Sequence, residues 1–391
     1  MRTDSNIILL IYLIAVIDIV FFPFLEAYTF IDELLCAILF VLSVLRFGIL
    51  QKKEFKCFAF IVLAYLGYSM VMEVNIMVAA ARDFLQFMKP FFSFYAVYYA
   101  KVYISPNREA MLRKLGLILG IVCISMLPYI EQIYSNTAGY YASCTFAALL
   151  FLLFSEGTKR NYYIFLLLLS VGTASLRSKF LAELMCYAFI LLFVGRKIKL
   201  SWKVYVYLVA LATAAIWVNY DKFYSYFIIG YKQGLVRTWF FYASVKMLWD
   251  YFPFGAGFGT FGTDTSGLYY SPLYYKYGLS NLWGCGPKDY GTISSFFGDT
   301  FYPVLFAQFG VVGTYLFFLF WKKRWNESLK ISKHQFKIVL IIIAYMAVES
   351  IANTAFLGPV SVPSMMTLGL CLNKYYSYGK SQRNSTCLQR R

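Results

Sequence analysis

Residues 253–261 read Pro253-Phe254-Gly255-Ala256-Gly257-Phe258-Gly259-Thr260-Phe261, and residues 299–302 read Asp299-Thr300-Phe301-Tyr302. Both stretches belong to the segment from Tyr220 to Asp299 and its exit, the longest part of the chain that is neither an apolar run nor a short connection. Closely spaced glycines favour a tight turn in which backbone N–H groups approach a ligand or another chain segment. The rest of the chain is expected to form a platform for this segment.

The composition predicts a polytopic membrane protein. The 391 residues are 60% hydrophobic and 14% charged, and the mean hydropathy is +0.62, far more apolar than an ordinary soluble domain. A bilayer core of about 30 Å needs roughly 20 apolar residues per helix. Apolar runs fall at 7–22, 28–47, 57–72, 84–104, 115–131, 139–154, 161–174, 180–194, 203–219, 300–320, 337–353 and 359–373.

The expected fold is therefore all-α, with about twelve transmembrane helices. Residues 1–391 form a single integral membrane domain in this prediction. One large external loop, 220–299, lies between the ninth and tenth spans and carries short amphipathic helices.

The basic residues predict the orientation. The net charge is +17, and most Lys and Arg lie in alternate connections, on the side that also holds both termini. Because cytoplasmic loops retain Lys and Arg, both termini are expected in the cytoplasm and loop 220–299 outside. The basic residues form no single patch, which argues against nucleic acid as a partner.

Cysteine and histidine exclude several kinds of site. The eight cysteines show no CxxC spacing, so neither a zinc site nor a disulfide framework follows. The single histidine, His334, lies in the basic stretch Lys330–His334 and is expected to be a solvated cytoplasmic loop residue. An external histidine base or a His-rich metal site is excluded, and no cofactor or metal is predicted.

Three groups of charges lie at the predicted outer face, where a charge near a span is a functional candidate. The first group also fits a self-neutralising ion pair, and the second fits a solvated hairpin. The groups are Arg82-Asp83 with Lys89, then Arg177 and Lys179 in the hairpin 174–179 with Glu183 one turn later, and finally Arg237, Lys246 and Asp250.

The third group lies on a predicted amphipathic helix, residues 237–250. Apolar residues at 239, 242, 245, 248 and 249 suit one helix face. Such a helix would lie along the outer interface with its aromatic face among the lipid headgroups.

Three arginines from separate segments, Arg82, Arg177 and Arg237, are thus expected at one membrane rim. Guanidinium groups match phosphate oxygens in a bidentate manner, as a diphosphate headgroup would require. Binding of anionic lipid without chemistry would also fit.

Two further features of the loop each fit more than one interpretation. Residues 257–262 match GxGxxG, but they follow an amphipathic helix instead of a strand and lie on the wrong side of the membrane for a dinucleotide. The loop tyrosines and tryptophan could stack on sugar rings or pack the loop on itself. These aromatic residues are Tyr269, Tyr270, Tyr274, Tyr275, Tyr277, Trp283 and Tyr290.

The second half of the chain resembles the O-antigen polymerase and ligase superfamily. Arg237–Asp250 followed by Pro253–Phe261 is similar to its signature of an Arg, a helix, a Pro and a glycine run. Residues 299–313 resemble its helix after the large external loop, and Ser175–Ser178 resembles its short Ser/Arg hairpin. Asp299 departs from the Asn that most members carry near this position.

This resemblance implies a metal-independent glycosyltransferase of the bacterial cytoplasmic membrane, which transfers a growing saccharide from a polyprenyl diphosphate carrier onto a lipid-linked repeat unit. A polymerase of O-antigen or capsule fits better than a ligase, because ligases use an external His. A lipid-linked oligosaccharide flippase is the alternative from another class. The implied partners are the carrier-linked oligosaccharide, membrane lipids, a chain-length regulator and a flippase.

Within this hypothesis, Arg177 and Arg237 hold the diphosphate as the anomeric C–O bond breaks. Asp299, at the return of the loop to the membrane, is the favoured base. The other outer carboxylates are Asp83, Asp221, Asp250, Asp264 and Asp289, with Glu183 just inside the span. The expected substrate contacts are Arg82, Lys179, Lys246, Gly257, Gly259 and Tyr302.

Overall fold

The computed structural model describes residues 2–21, 31–129, 137–175, 178–195, 224–292 and 295–376, together with 206, 209, 213 and 220. Within these ranges all regular structure is helical, without a strand. The principal helices are α1 Arg2–Phe21, α2 Ile31–Leu45, α3 Lys53–Met72, α4 Met77–Tyr99, α5 Pro106–Ser125, α6 Thr137–Leu153, α7 Lys159–Val171, α8 Ser178–Phe193, α9 Val236–Asp250, α10 Asp264–Leu268, α11 Pro272–Lys276, α12 Phe301–Ser328, α13 Lys333–Glu349 and α14 Ser361–Leu372.

The helices coincide with the predicted apolar runs. Every run except 203–219 falls in a helix, and that run lies outside the described residues apart from 206, 209 and 213. By length and composition, Lys53–Met72 and Phe301–Ser328 are able to cross a membrane. The all-helical prediction is confirmed for the described residues, and the number of membrane crossings stays a prediction.

Helix α4 forms the centre of the main core. It packs most extensively against α14 and also contacts α2 and α3. Asn373, just after α14, donates to the carbonyl oxygens of Val97 and Ala100, both at 2.7 Å, at the end of α4. These bonds satisfy carbonyl groups that the end of a helix leaves without a partner.

The segment 224–299 has a smaller core of its own. The side chains of Phe240, Phe261, Tyr274 and Phe297 are buried together and pack against Ala307 of α12. Helix α9 contributes Val236, Phe240 and Met247 to the buried side, whereas Tyr242 and Trp249 are exposed. A helix is therefore present at the predicted position, with aromatic residues on its open face, but it is not amphipathic, because apolar residues also cover its buried side.

Helix α12 is broken at Gly310, whose φ of 59° and ψ of −159° are not helical. Glycine is favoured here because a left-handed backbone carries no Cβ penalty in it. The break frees backbone groups that the glycine-rich segment then engages: Ala256 donates to Ala307 O at 2.8 Å, and Gly257 to Gln308 O at 2.9 Å. Interrupted helices of this kind are tolerated where neighbouring segments satisfy the backbone again.

The prediction for His334 is wrong. It is the second residue of α13 and is buried, with Nε2 3.0 Å from the carbonyl oxygen of Leu152 and Nδ1 3.4 Å from the Tyr162 hydroxyl. The reason is that Ser332 caps the helix at this point by accepting from Gln335 N. The helix therefore starts early enough to bring His334 against the end of α6.

Candidate functional site

The glycine-rich run is fixed to two helices of the platform. Gly259 N donates to Asp83 Oδ2 at 2.8 Å, and Phe258 N donates to Ser69 Oγ at 2.8 Å. Asn75 donates through its side-chain amide to Gly259 O at 2.6 Å. The buried carboxylate of Asp83 thus holds the loop onto α4.

Gly259 lies too close to α4 for any side chain. Its φ is 71°, and a Cβ atom would meet the Ala79 carbonyl carbon at 2.6 Å. The N–H groups of both predicted contacts, Gly257 and Gly259, bond to other segments of the chain. Of the two roles that the sequence left open for this run, contact with another chain segment is the one observed.

Arg237 and Asp299, both predicted as catalytic, form an ion pair. Arg237 lies in the first turn of α9, and Asp299 lies two residues before α12. The guanidinium donates to Asp299 Oδ2 from Nη2 at 2.9 Å and from Nε at 3.2 Å. Both side chains remain about one-third exposed, at 31% and 29%, so the pair lies at an accessible surface.

Asp264, at the start of α10, lies near this pair, and its neighbour Thr265 bonds to α4. Its carboxyl approaches Gly298, the neighbour of Asp299, and Thr265 donates to Gln86 of α4 at 3.1 Å. Partial desolvation is the main cause that raises the pKa of Asp264 to about 6, and the negative charges of Asp83 and Asp299 add to the rise. The positive charge of Arg82 opposes it. The residue nevertheless keeps solvent-accessible surface.

We group Arg82, Asp264, Arg237 and Asp299 as the rim cluster, because Arg237 pairs with Asp299 and the charges of Asp299 and Arg82 both act on Asp264. Arg82 comes from α4 and is exposed; the other members come from the long loop. Arg82 also acts electrostatically on Tyr290 of the loop. Arg237 and Asp299 are thus in direct contact, whereas Arg82 and Asp264 interact with the cluster through their charges. Within the described residues no ion pair joins Arg82 to its neighbour Asp83.

Other predicted site residues lie elsewhere. Lys246 follows Arg237 by nine residues on α9, which places it on the opposite helix face, and its ammonium lies 5.8 Å from the Tyr277 ring centre. The Tyr302 hydroxyl donates to Ala347 O at 3.0 Å and so joins α12 to α13. Arg177 and the side chain of Lys179 lie outside the described residues.

Lys89 does not belong to the rim cluster, although the sequence grouped it with Arg82. Its ammonium is buried and lies 2.5 Å from Asp32 Oδ2 and 2.8 Å from Glu33 Oε1 at the start of α2. Lys89 is seven residues further along α4 than Arg82, about 10 Å along the helix axis. It therefore bridges α2 and α4 inside the fold.

Sequence reasoning gave too little weight to Asp83, Asp264 and Glu183. In the sequence, Asp83 fits an ion pair with its neighbour Arg82, and Asp264 is one of several outer carboxylates. Glu183 is fully buried and accepts from Tyr141 at 2.9 Å and from Tyr187 at 2.8 Å. The tyrosine at i+4 from Glu183 is the one signal that the sequence offered for this network.

The loop aromatics divide into two sets. Tyr274 is buried, with its ring centre 5.1 Å from that of Phe297 and its hydroxyl 2.6 Å from Ser266 Oγ. Tyr275 and Trp283 are exposed. Packing of the loop on itself therefore accounts for Tyr274, whereas Tyr275 and Trp283 keep open faces.

No protein-family model matches this chain, and no curated protein is significantly similar to it. In the part of the chain that the structure describes, no group of three or more His, Cys, Asp or Glu side chains is arranged to hold a metal ion.

Proposed function

We propose that this protein is a bacterial surface-polysaccharide polymerase. It transfers a growing saccharide from a polyprenyl diphosphate carrier onto a lipid-linked repeat unit. In this proposal it is a multi-pass protein of the cytoplasmic membrane, with both termini in the cytoplasm and loop 220–299 outside.

The observation that carries the proposal is the rim cluster. Arg237 pairs with Asp299 at an accessible surface, and the charges of Asp299 and Arg82, which are far apart in sequence, both act on Asp264. Two guanidinium groups supply fixed positive charge for phosphate oxygens, and carboxylates supply proton acceptors, which are the two requirements of glycosyl transfer from a diphosphate.

The proposed reaction is a displacement at the anomeric carbon. The acceptor hydroxyl oxygen forms the new bond to that carbon, and the bond from the carbon to the diphosphate oxygen breaks. The diphosphate leaves with the bonding electron pair, and the hydroxyl proton passes to a carboxylate. Arg237 and Arg82 stabilise the charge that develops on the departing oxygen; removal of one such donor typically lowers the rate about 100- to 1000-fold.

We assign the base role to Asp264 instead of Asp299. The ion pair with Arg237 stabilises the charged form of Asp299 and makes it a poor proton acceptor. A carboxyl group whose pKa is raised to about 6 is better matched to proton transfer near neutral pH. Asp299 then serves to orient Arg237.

The direct test is chain lengthening in detergent. Purified protein is given a lipid diphosphate-linked repeat unit, and products are separated by length. A polymerase lengthens the saccharide without a membrane, whereas a flippase needs two compartments and leaves it unchanged. Unchanged substrate with folded protein would refute the proposed activity.

A further inference from the structure

A lateral apolar groove separates α3 from α12. Its volume is about 590 Å³, and side chains of both helices form its walls, including Ile61, Leu316 and Phe320. Phe87, Phe91 and Tyr95 of α4 lie at its floor. The two helices that line it are also the two that are long and apolar enough to cross a membrane.

Polar bridges mark the two ends of the groove. At one end, where Phe258 of the glycine-rich run also lines the groove, the Tyr65 hydroxyl donates to Phe309 O at 3.0 Å. At the other end, Lys323 Nζ lies 2.8 Å from Glu54 Oε2. From Lys53 to Tyr65 the helix rises about 18 Å, close to the roughly 15 Å of hydrocarbon in one leaflet of a bilayer.

The end at Lys53 is strongly basic. Lys53 and Lys323 line the groove there, and Lys322 is exposed nearby on α12. The acidic residues of this end, Glu54 and Glu327, are engaged by the fully buried Arg324, whose guanidinium also lies 5.0 Å from the Phe94 ring centre. The exposed charge left at the mouth of the groove is therefore positive.

We propose that this groove binds one acyl chain of an anionic phospholipid, with the headgroup phosphate at Lys53 and Lys323. The length of the groove fits a chain from a single leaflet, its walls are apolar, and the exposed charged side chains that line it are Lys53 and Lys323. The inference uses the membrane location of the proposed function and is independent of its chemistry.

Native mass spectrometry of the full-length protein in detergent tests this site. The probes are dioleoyl phosphatidylglycerol, dioleoyl phosphatidylcholine and a polyprenyl monophosphate. The protein is expected to retain one phosphatidylglycerol about tenfold more tightly than phosphatidylcholine, since each Lys near a headgroup contributes attraction. Equal retention of the two phospholipids, or preferential retention of the polyprenyl monophosphate, would overturn the proposal.

Two pairs of variants assign the binding to the groove. Ile61→Trp fills the groove and should weaken phosphatidylglycerol binding at least tenfold, whereas Leu63→Trp, on the exposed face of the same helix, should not. Lys53→Gln should reduce the preference for phosphatidylglycerol about fivefold, and Lys56→Gln, outside the groove, less than twofold. Because Lys53 is exposed, Lys53→Gln is expected to fold, and it tests lipid binding even if Ile61→Trp does not fold. Unchanged binding in Lys53→Gln would contradict the headgroup assignment.

Discussion

Asp264 and Asp299 lie in the same rim cluster but have different neighbours. Asp299 is paired with Arg237. The charges that act on Asp264 are mainly negative and belong to Asp83 and Asp299. When different environments separate the pKa values of two carboxyl groups, the two groups take different roles in catalysis. Asp264 is the group expected to change its charge near neutral pH.

The first prediction follows from that difference. The base must be deprotonated to accept the hydroxyl proton, so the chain-lengthening rate should rise as the pH increases through about 6 and level off above it. Asp264→Asn should lower the rate at pH 7.5 by about 100-fold or more. A flat profile between pH 5 and 7.5 in the wild-type protein would argue against Asp264 as the base.

The second prediction concerns Gly259. Gly259→Ala combines a left-handed backbone with a Cβ at 2.6 Å from the Ala79 carbonyl carbon, and we expect it to destabilise the protein by about 2 kcal/mol or more. Gly278→Ala is the matched control, because its φ is 74° and a Cβ would meet nothing within 4 Å. It should lose only the free energy that a left-handed backbone costs a non-glycine residue, about 1 kcal/mol. Thermal unfolding in detergent compares them, and equal losses would show that the contact with α4 is unimportant.

Among the helices and loops, the glycine-rich run forms a junction with α3, α4 and the broken helix α12. Loop and helix backbones approach closely there, and buried N–H groups find acceptors on Ser69, Asp83 and α12. A buried donor without a partner costs about 1–3 kcal/mol. The junction is therefore expected to hold the rim cluster in place.

The third prediction tests this junction. Ser69→Ala removes the acceptor of Phe258 N and should increase protease cleavage within 269–292 about fivefold to thirtyfold. Ser43→Ala is the control, since Ser43 is equally buried but donates only to Leu39 O within its own helix. Cleavage that does not distinguish Ser69→Ala from Ser43→Ala would mean that the loop is held elsewhere.

At the scale of the molecule, the fourth prediction concerns orientation. In a background with Cys57 replaced by Ser, Trp283→Cys in the loop should react with a membrane-impermeant maleimide added to intact cells. Asn326→Cys, exposed near the basic end of α12, should react only after lysis. Labelling of Asn326→Cys in intact cells would reverse the topology.

Hydropathy predicted the helices well, because an apolar run is a local property of the sequence. The helix Val236–Asp250 was predicted for the same reason, and the importance of Arg237 stays a prediction. The environment of Asp264, the burial of His334 and the pairing of Lys89 with Asp32 depend on contacts between distant segments. No periodicity in the sequence encodes those contacts, so they became visible only in the folded chain.

The most direct measurement is the rate at which purified protein lengthens a lipid diphosphate-linked repeat unit, compared between Arg237→Ala and Lys232→Ala at matched protein amounts. Lys232 is an exposed cation of the same loop, next to α9 but outside the rim cluster. The account predicts a loss of about 100-fold or more for Arg237→Ala and less than twofold for Lys232→Ala. Full-length products from Arg237→Ala would contradict it.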